Sequence, residues 1–104
     1  MYIVVLVTTK DVAQAKAIAQ KLVKEKLVAC ANILKGIESL FWWEGKIDSS
    51  QEALLILKSK KSCFKKIVKT VQSLHSYTVP EIIALPIAQG SKDYLEWINN
   101  CIGG

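Results

Sequence analysis

Three observations predict an α+β fold for this 104-residue chain. Apolar residues recur at helical spacing in three separate stretches, and strand-like apolar runs stand before the first and third of them. Between the first two helical stretches, Leu27 to Lys61 reads as a single long hairpin. The last strand-like run carries two prolines, which places it at a sheet edge or confines the prolines to its ends. The order is strand, helix, strand, strand, helix, strand, with an extra C-terminal helix. That is the split βαβ, or ferredoxin-like, βαββαβ arrangement. The length predicts one domain, residues 1–104, just large enough to bury one core.

The elements follow in order. Tyr2 to Val7 is β-branched and apolar, and reads as a central strand buried on both faces. Asp11 is the expected N-cap of the first helix, with Gln14 in the capping-box position. Val12, Ala15, Ile18, Ala19, Leu22 and Val23 form its apolar stripe, and the helix is predicted to end near Lys26.

The hairpin has a small apolar first arm, Val28 to Leu34, and a bend at Lys35–Gly36. An aromatic extension, Leu40-Phe41-Trp42-Trp43, leads to a turn at Glu44-Gly45-Lys46, where glycine tolerates positive φ. The return arm runs through Leu54-Leu55-Ile56-Leu57. At about 3.3 Å per residue, an arm of about a dozen residues spans roughly 40 Å, too long for so small a domain. The arm should overhang its own domain and expose an aromatic edge, and the expected partner is another copy of the chain. Trp42 and Trp43 point to opposite faces of an extended arm, so packing or a partner must bury at least one.

Ser62 is the expected cap of the second helix, with Phe64, Ile67, Val68, Val71 and Leu74 inward and Lys65, Lys66 and Lys69 outward. The helix must stop before Pro80. Val79 to Ile87 is the final strand. Ser91 caps the last helix, whose stripe is Tyr94, Leu95, Ile98, Cys101 and Ile102, and Gly103–Gly104 is read as a frayed tail.

Composition narrows the function. The chain is 51% hydrophobic, which excludes disorder. It has no apolar run long enough to span a bilayer and no basic leader, so a cytoplasmic protein without a membrane partner is expected. Its three cysteines are odd in number and widely spaced, which fits reduced thiols. Cys30 and Cys101 are read as core filler.

The net charge is +5, and all fourteen basic residues are lysines. Six lie between Lys58 and Lys69, as a solvated helix face or an anion-binding patch. With no arginine and no helix-turn-helix, RRM or KH signature, nucleic acid is not an expected partner. One histidine and no nucleophile elbow, phosphate loop or zinc-protease motif predict a protein that is not an enzyme.

Chemistry concentrates at Leu74-His75-Ser76-Tyr77-Thr78-Val79-Pro80-Glu81. A helix end, a loop and a strand start here bring together an imidazole, a phenol and a carboxylate. The residues suit a capped turn equally with a small polar pocket. His75 sits at a helix C-terminus, where the dipole favours its charged form. His75 with Glu81 is a thin metal-ligand set that needs further donors from another subunit. Glu52 and Lys58 on the return arm read as a surface pair, or as groups reaching a cleft between subunits.

The blocks ACANIL (29–34), SLFWWEGKI (39–47), Glu52, ILKSK, HSYTVPEII (75–83) and GSKDYLEWI (90–98) together resemble the CutA family of divalent-cation tolerance proteins. The resemblance spans essentially the whole chain. It implies a homotrimer whose long hairpin arms pair between subunits, and a pocket between subunits using Trp43, Glu52, Lys58, His75, Tyr77, Glu81 and Trp97. It also implies divalent-metal binding of copper type, with no organic cofactor and no settled protein partner. Two departures weaken a copper site. Ser76 and Thr78 stand where the family commonly has proline and often an acidic residue, and Leu6-Val7-Thr8-Thr9 lacks a thiol that some relatives carry.

Two functions therefore compete. One is a trimer that binds divalent cations, Cu²⁺ or Zn²⁺ before Ca²⁺, between subunits. The other is a trimeric signalling or scaffold protein holding a small anionic ligand through Lys58 and His75. Nucleic-acid binding through Lys58–Lys69 is the weakest of the three readings.

Overall fold

Four strands pair into one antiparallel sheet, and its longest two strands run well past the other two. The computed structural model describes residues 1–103. The elements are β1 (Tyr2–Thr9), α1 (Val12–Lys24), β2 (Cys30–Trp43), β3 (Lys46–Lys60), α2 (Phe64–Leu74), β4 (Ile82–Pro86) and α3 (Lys92–Cys101), with a 3-10 turn at Lys61–Cys63 before α2. The sheet order is β2-β3-β1-β4. β1 and β2 run parallel with β3 inserted between them, which is the expected split βαβ topology.

Alternation along β1 and β3 sets the core. Ile3, Val5 and Val7 of β1 and Ala53, Leu55 and Leu57 of β3 are buried under the helices. They meet Ala15, Ile18 and Leu22 of α1 and Ile67 and Val71 of α2, each 0% exposed. Two buried hydroxyls are paired as burial demands. Ser59 donates to Leu27 O at 2.6 Å, and Thr9 donates to Asp11 O at 2.8 Å.

The expectation that β1 is covered on both faces is corrected. Tyr2, Val4, Leu6 and Thr8 alternate with the buried residues and are only half-buried. The physical reason is that α1 and α2 form one layer over one face, while α3 reaches the other only at its Cys30–Lys60 end, where Asn99 accepts from Lys60 and Tyr94 stands beside Cys30. The other face also presents Leu54, Ile56, Leu34, Ile83 and Leu85, the last two 48% and 50% exposed.

The hairpin overhangs as predicted. Pairing of β1 with β3 ends at Thr9↔Ala53, while β2 and β3 continue together to Trp43↔Lys46. The long axis is 44 Å against 26 and 22 Å for the others. The bend at Lys35–Gly36 is a β-bulge: the ladder shifts register between Leu34 and Ile37, with Gly36 at φ 73. At the tip, Glu44 (φ 50) and Gly45 (φ 76) form a two-residue turn of the I′ kind, whose twist matches the strands.

Helix ends depart from expectation in several places. α1 is capped by Asp11, whose Oδ1 accepts from Gln14 N at 2.8 Å. It ends at Lys24, two residues before the expected Lys26. Lys26 instead adopts φ 58, Lys26 N donates to Val23 O and Leu27 N to Leu22 O, both at 3.0 Å, so the helix closes in a Schellman motif. Val23 is 45% exposed and Leu74 41%, so neither belongs to the core stripe. Ser62 lies inside the 3-10 turn, and α2 has no side-chain cap.

β4 is shorter than Val79–Ile87, because it pairs only from Ile82 to Pro86 on the outer side of β1; it is an edge strand with proline at its end. Cys63 is the buried thiol, whereas Cys30 and Cys101 are half-buried. Gly103 is not frayed: its N–H donates to Lys26 O at 3.2 Å. Gly104 lies outside the described residues.

Candidate functional site

α2 stops at Leu74 because His75 turns extended (φ −83, ψ 141), while its N–H still donates to Val71 O at 2.9 Å. The imidazole then folds back toward the end of β1. His75 Nε2 lies 2.7 Å from Thr8 O, and the Tyr77 backbone N–H donates to His75 Nδ1 at 3.1 Å. A carbonyl only accepts and an amide N–H only donates, so the ring is the neutral Nε2–H tautomer. The charged form expected from the helix dipole would set a second ring N–H against that amide.

The chain doubles back at Ser76, and the His75 and Tyr77 rings sit 4.8 Å apart, tilted by 48°. Tyr77 Oη donates to Glu52 Oε2 at 2.8 Å. Burial raises the Tyr77 phenol above its ordinary pKa, and the hydrogen bond and negative charge of Glu52 push it the same way. Ser76 Oγ reaches Gln14 Oε1 at 3.3 Å, which ties the loop to α1 as well. The group therefore clamps three elements where the long arm leaves the sheet: Glu52 is the residue next to the last β1–β3 rung, Thr9↔Ala53.

Of the seven expected pocket residues, the structure brings Glu52, His75 and Tyr77 together within one chain. Glu81 is exposed just before β4. Trp43 stands at the hairpin tip, 61% exposed, and Trp42 on the opposite face is 73% exposed, so neither is buried by its own chain. Lys58 shares a face of β3 with Glu52 but lies roughly 20 Å along the strand, so the two do not pair. Lys58 Nζ instead donates to Asn32 Oδ1. Trp97 stacks on Tyr94 of α3, with centroids 5.5 Å apart.

Three contributors escaped the sequence reading. Thr8 acts through its carbonyl, which no side-chain pattern reveals. Asn32 and Tyr94 gather around Cys30, whose Sγ lies 3.8 Å from Asn32 Oδ1. Burial, with Cys30 beside it, raises the Tyr94 phenol. Asn32 was open to discovery, since it is the one polar side chain in the apolar arm and faces the same side as Lys58.

A divalent cation needs several free donors. Both ring nitrogens of His75 are engaged, and one Glu52 oxygen holds Tyr77. Among the described residues, no group of three or more His, Cys, Asp or Glu side chains is placed to hold an ion. The donors of a single chain do not fit a metal.

The profile of the CutA1 divalent ion tolerance proteins matches residues 3–101. The chain belongs to the CutA1 family. It is 45% identical over 100 residues to the divalent-cation tolerance protein CutA of Thermus thermophilus, covering 96% of this chain and 97% of that one. It is 47% identical over 98 residues to the rice protein CutA 1, described as chloroplastic, of which it spans 55%.

Solved CutA1 structures share the fold closely. That from T. thermophilus superposes with TM-score 0.97 at 45% identity, covering 99% of this chain and 100% of the other. The Archaeoglobus fulgidus CutA, described as periplasmic, gives 0.96 at 39% identity, covering 99% and 100%. The family is named for tolerance to divalent ions and not for a catalysed reaction.

Proposed function

We propose that this CutA1 protein is non-enzymatic and serves in tolerance to divalent cations as a homotrimer. Its cation-binding clefts, of copper type, lie between subunits. The observation that carries this reading is unpartnered apolar surface on both faces of the arm. The half-covered sheet face leads into Ile37, Phe41 and Trp43, and Leu40, Trp42 and Ile47, all more than 60% exposed, stand bare on the other face beyond the reach of the helices. Soluble chains seldom leave such a surface bare, and a closed ring of like subunits covers it on every copy. The poverty of donors within one chain agrees with a site completed by neighbours. Trp43, Lys58, Glu81 and Trp97, dispersed here, would join the Glu52–Tyr77–His75 group only across subunits.

Calorimetric titration of the metal-free protein with Cu²⁺, beside His75→Ala, tests the site. One ion per subunit, lost in the variant, supports it. Absence of binding, or binding indifferent to His75, rejects His75 as a required ligand.

A second reading draws on the same imidazole. In it a signalling or scaffold trimer holds a small anionic ligand in its clefts through Lys58 and His75. What supports it over a metal is that both nitrogens of His75 are already bonded, which leaves no free lone pair for a cation. Thermal stabilisation by anionic metabolites, with none by Cu²⁺ or Zn²⁺, would select it. A cytoplasmic location is part of the proposal and is supported by three unbonded cysteines. No helix of the described residues is long and apolar enough to cross a membrane.

A further inference from the structure

The charges of this chain are segregated by layer. Residues 10–26 and 61–74, which hold α1, α2 and their immediate ends, contain nine of the fourteen lysines and two of the nine acids, Asp11 and Glu25. The rest of the chain has five lysines and seven acids, so an overall charge of +5 conceals a helical layer at +7 and a remainder at −2.

All nine of these lysines are exposed: Lys10, Lys16, Lys21, Lys24 and Lys26 with α1, and Lys61, Lys65, Lys66 and Lys69 with α2. Among the described residues only Lys21 of this group is in an ion pair, with Glu25 at 2.8 Å. The cluster visible in the sequence, Lys58 to Lys69, is broken up in space. Lys58 donates to Asn32 and Lys60 to Asn99, on the other side of the sheet, and α1 supplies the lysines that join α2.

We infer that the outer face of the α1–α2 layer docks the phosphate backbone of nucleic acid without reading its sequence. A lysine is a point charge, whereas discrete carboxylates and phosphopeptides are selected by the bidentate fork of arginine, which this chain lacks. Phosphate contacts position a protein on nucleic acid but carry no sequence information. An anionic bilayer suits the face less well. Interfacial helices anchor by burying an apolar side in the acyl boundary. Most of the apolar side of each helix is spent on the core, with Ile18, Leu22, Ile67 and Val71 at 0% exposure, which leaves one exposed large apolar residue on each, Val23 and Leu74. No aromatic is exposed on either helix.

The test is fluorescence anisotropy of a labelled duplex, with a second duplex of unrelated sequence, titrated with the full chain between about 50 and about 200 mM salt. Expected is equal binding of both duplexes, weakening steeply with salt at about 0.9 logarithmic units per phosphate engaged. Lys65→Glu with Lys69→Glu should make that slope shallower by about two. Lys35→Glu with Lys92→Glu makes the same change in net charge away from the helical layer and should leave the slope unchanged. Circular dichroism confirms that both variants fold. No anisotropy change at low salt overturns the inference, as does equal loss in the two variants. Co-sedimentation with phosphatidylserine vesicles while the duplexes stay unbound also overturns it, in favour of a membrane.

Discussion

Tyr77 Oη reaches Glu52 Oε2 at 2.8 Å, so the loop after α2 holds the long arm at the point where the arm leaves the sheet. Tyr77→Phe should cost about 1 kcal/mol, since the bond is half-exposed. The phenol's pKa is raised in the folded state, so its contribution is complete below the ordinary value of 10.0 and lost as pH rises through the higher folded value. Of three tyrosines, two are held high, Tyr77 and Tyr94. Ultraviolet titration of phenolate should therefore show one late-titrating tyrosine fewer in Tyr77→Phe, and an earlier Tyr77 in Glu52→Gln. An unchanged curve in both would refute the contact.

Trp43→Ala should weaken assembly more than subunit structure. Trp43 is 61% exposed at the tip of the arm and contributes little to its own chain's core. Light scattering should show smaller particles at micromolar concentration while far-ultraviolet circular dichroism is preserved. Unchanged particle size at that concentration would place the residue outside the interface of the proposed trimer.

Gly45 occupies φ 76 in a two-residue turn with open space around its Cα. Gly45→Ala therefore meets backbone strain and no clash, and should lower stability by about 1 kcal/mol. Glu44 sits at φ 50, where asparagine is preferred, so Glu44→Asn should raise it by a few tenths of a kcal/mol. Thermal melts of the two variants should move in opposite directions.

Lys26 holds the left-handed position of the Schellman motif at φ 58. Lys26→Gly removes the Cβ strain there and should stabilise by about 0.5 kcal/mol after the added freedom of the unfolded chain is discounted. Chemical denaturation with an unchanged slope would report it. A loss of stability would mean that the lysine stem, which packs 3.4 Å from the position of a Cβ on Gly103, matters more than the strain.

Much of this was legible beforehand because it is local. Asp11 caps α1 through a bond to a residue three positions on, Gly36 and Gly45 mark the bulge and the turn by their tolerance of positive φ, and Pro86 marks an edge strand. The cap of α2 was misread at Ser62 because a tight 3-10 turn and an α-helix start offer a hydroxyl the same local pattern.

The periodic spacing of apolar residues along the chain was enough to specify the split βαβ fold and the overhang of its hairpin, since side-chain direction in a strand or helix follows from backbone geometry alone. Which side of the sheet is left open, which donor meets Glu52, and how the lysines divide were decided only in three dimensions. β1 looked buried on both faces because its outer residues are apolar, but covering them takes a full second layer, and one chain supplies only α3 at one end of the sheet. Glu52 meets Tyr77, twenty-five residues away, and not Lys58 on its own strand. Lys58 and Lys60 part from Lys61–Lys69 because a strand end separates two sides of the sheet, and sequence distance does not record which side a residue takes.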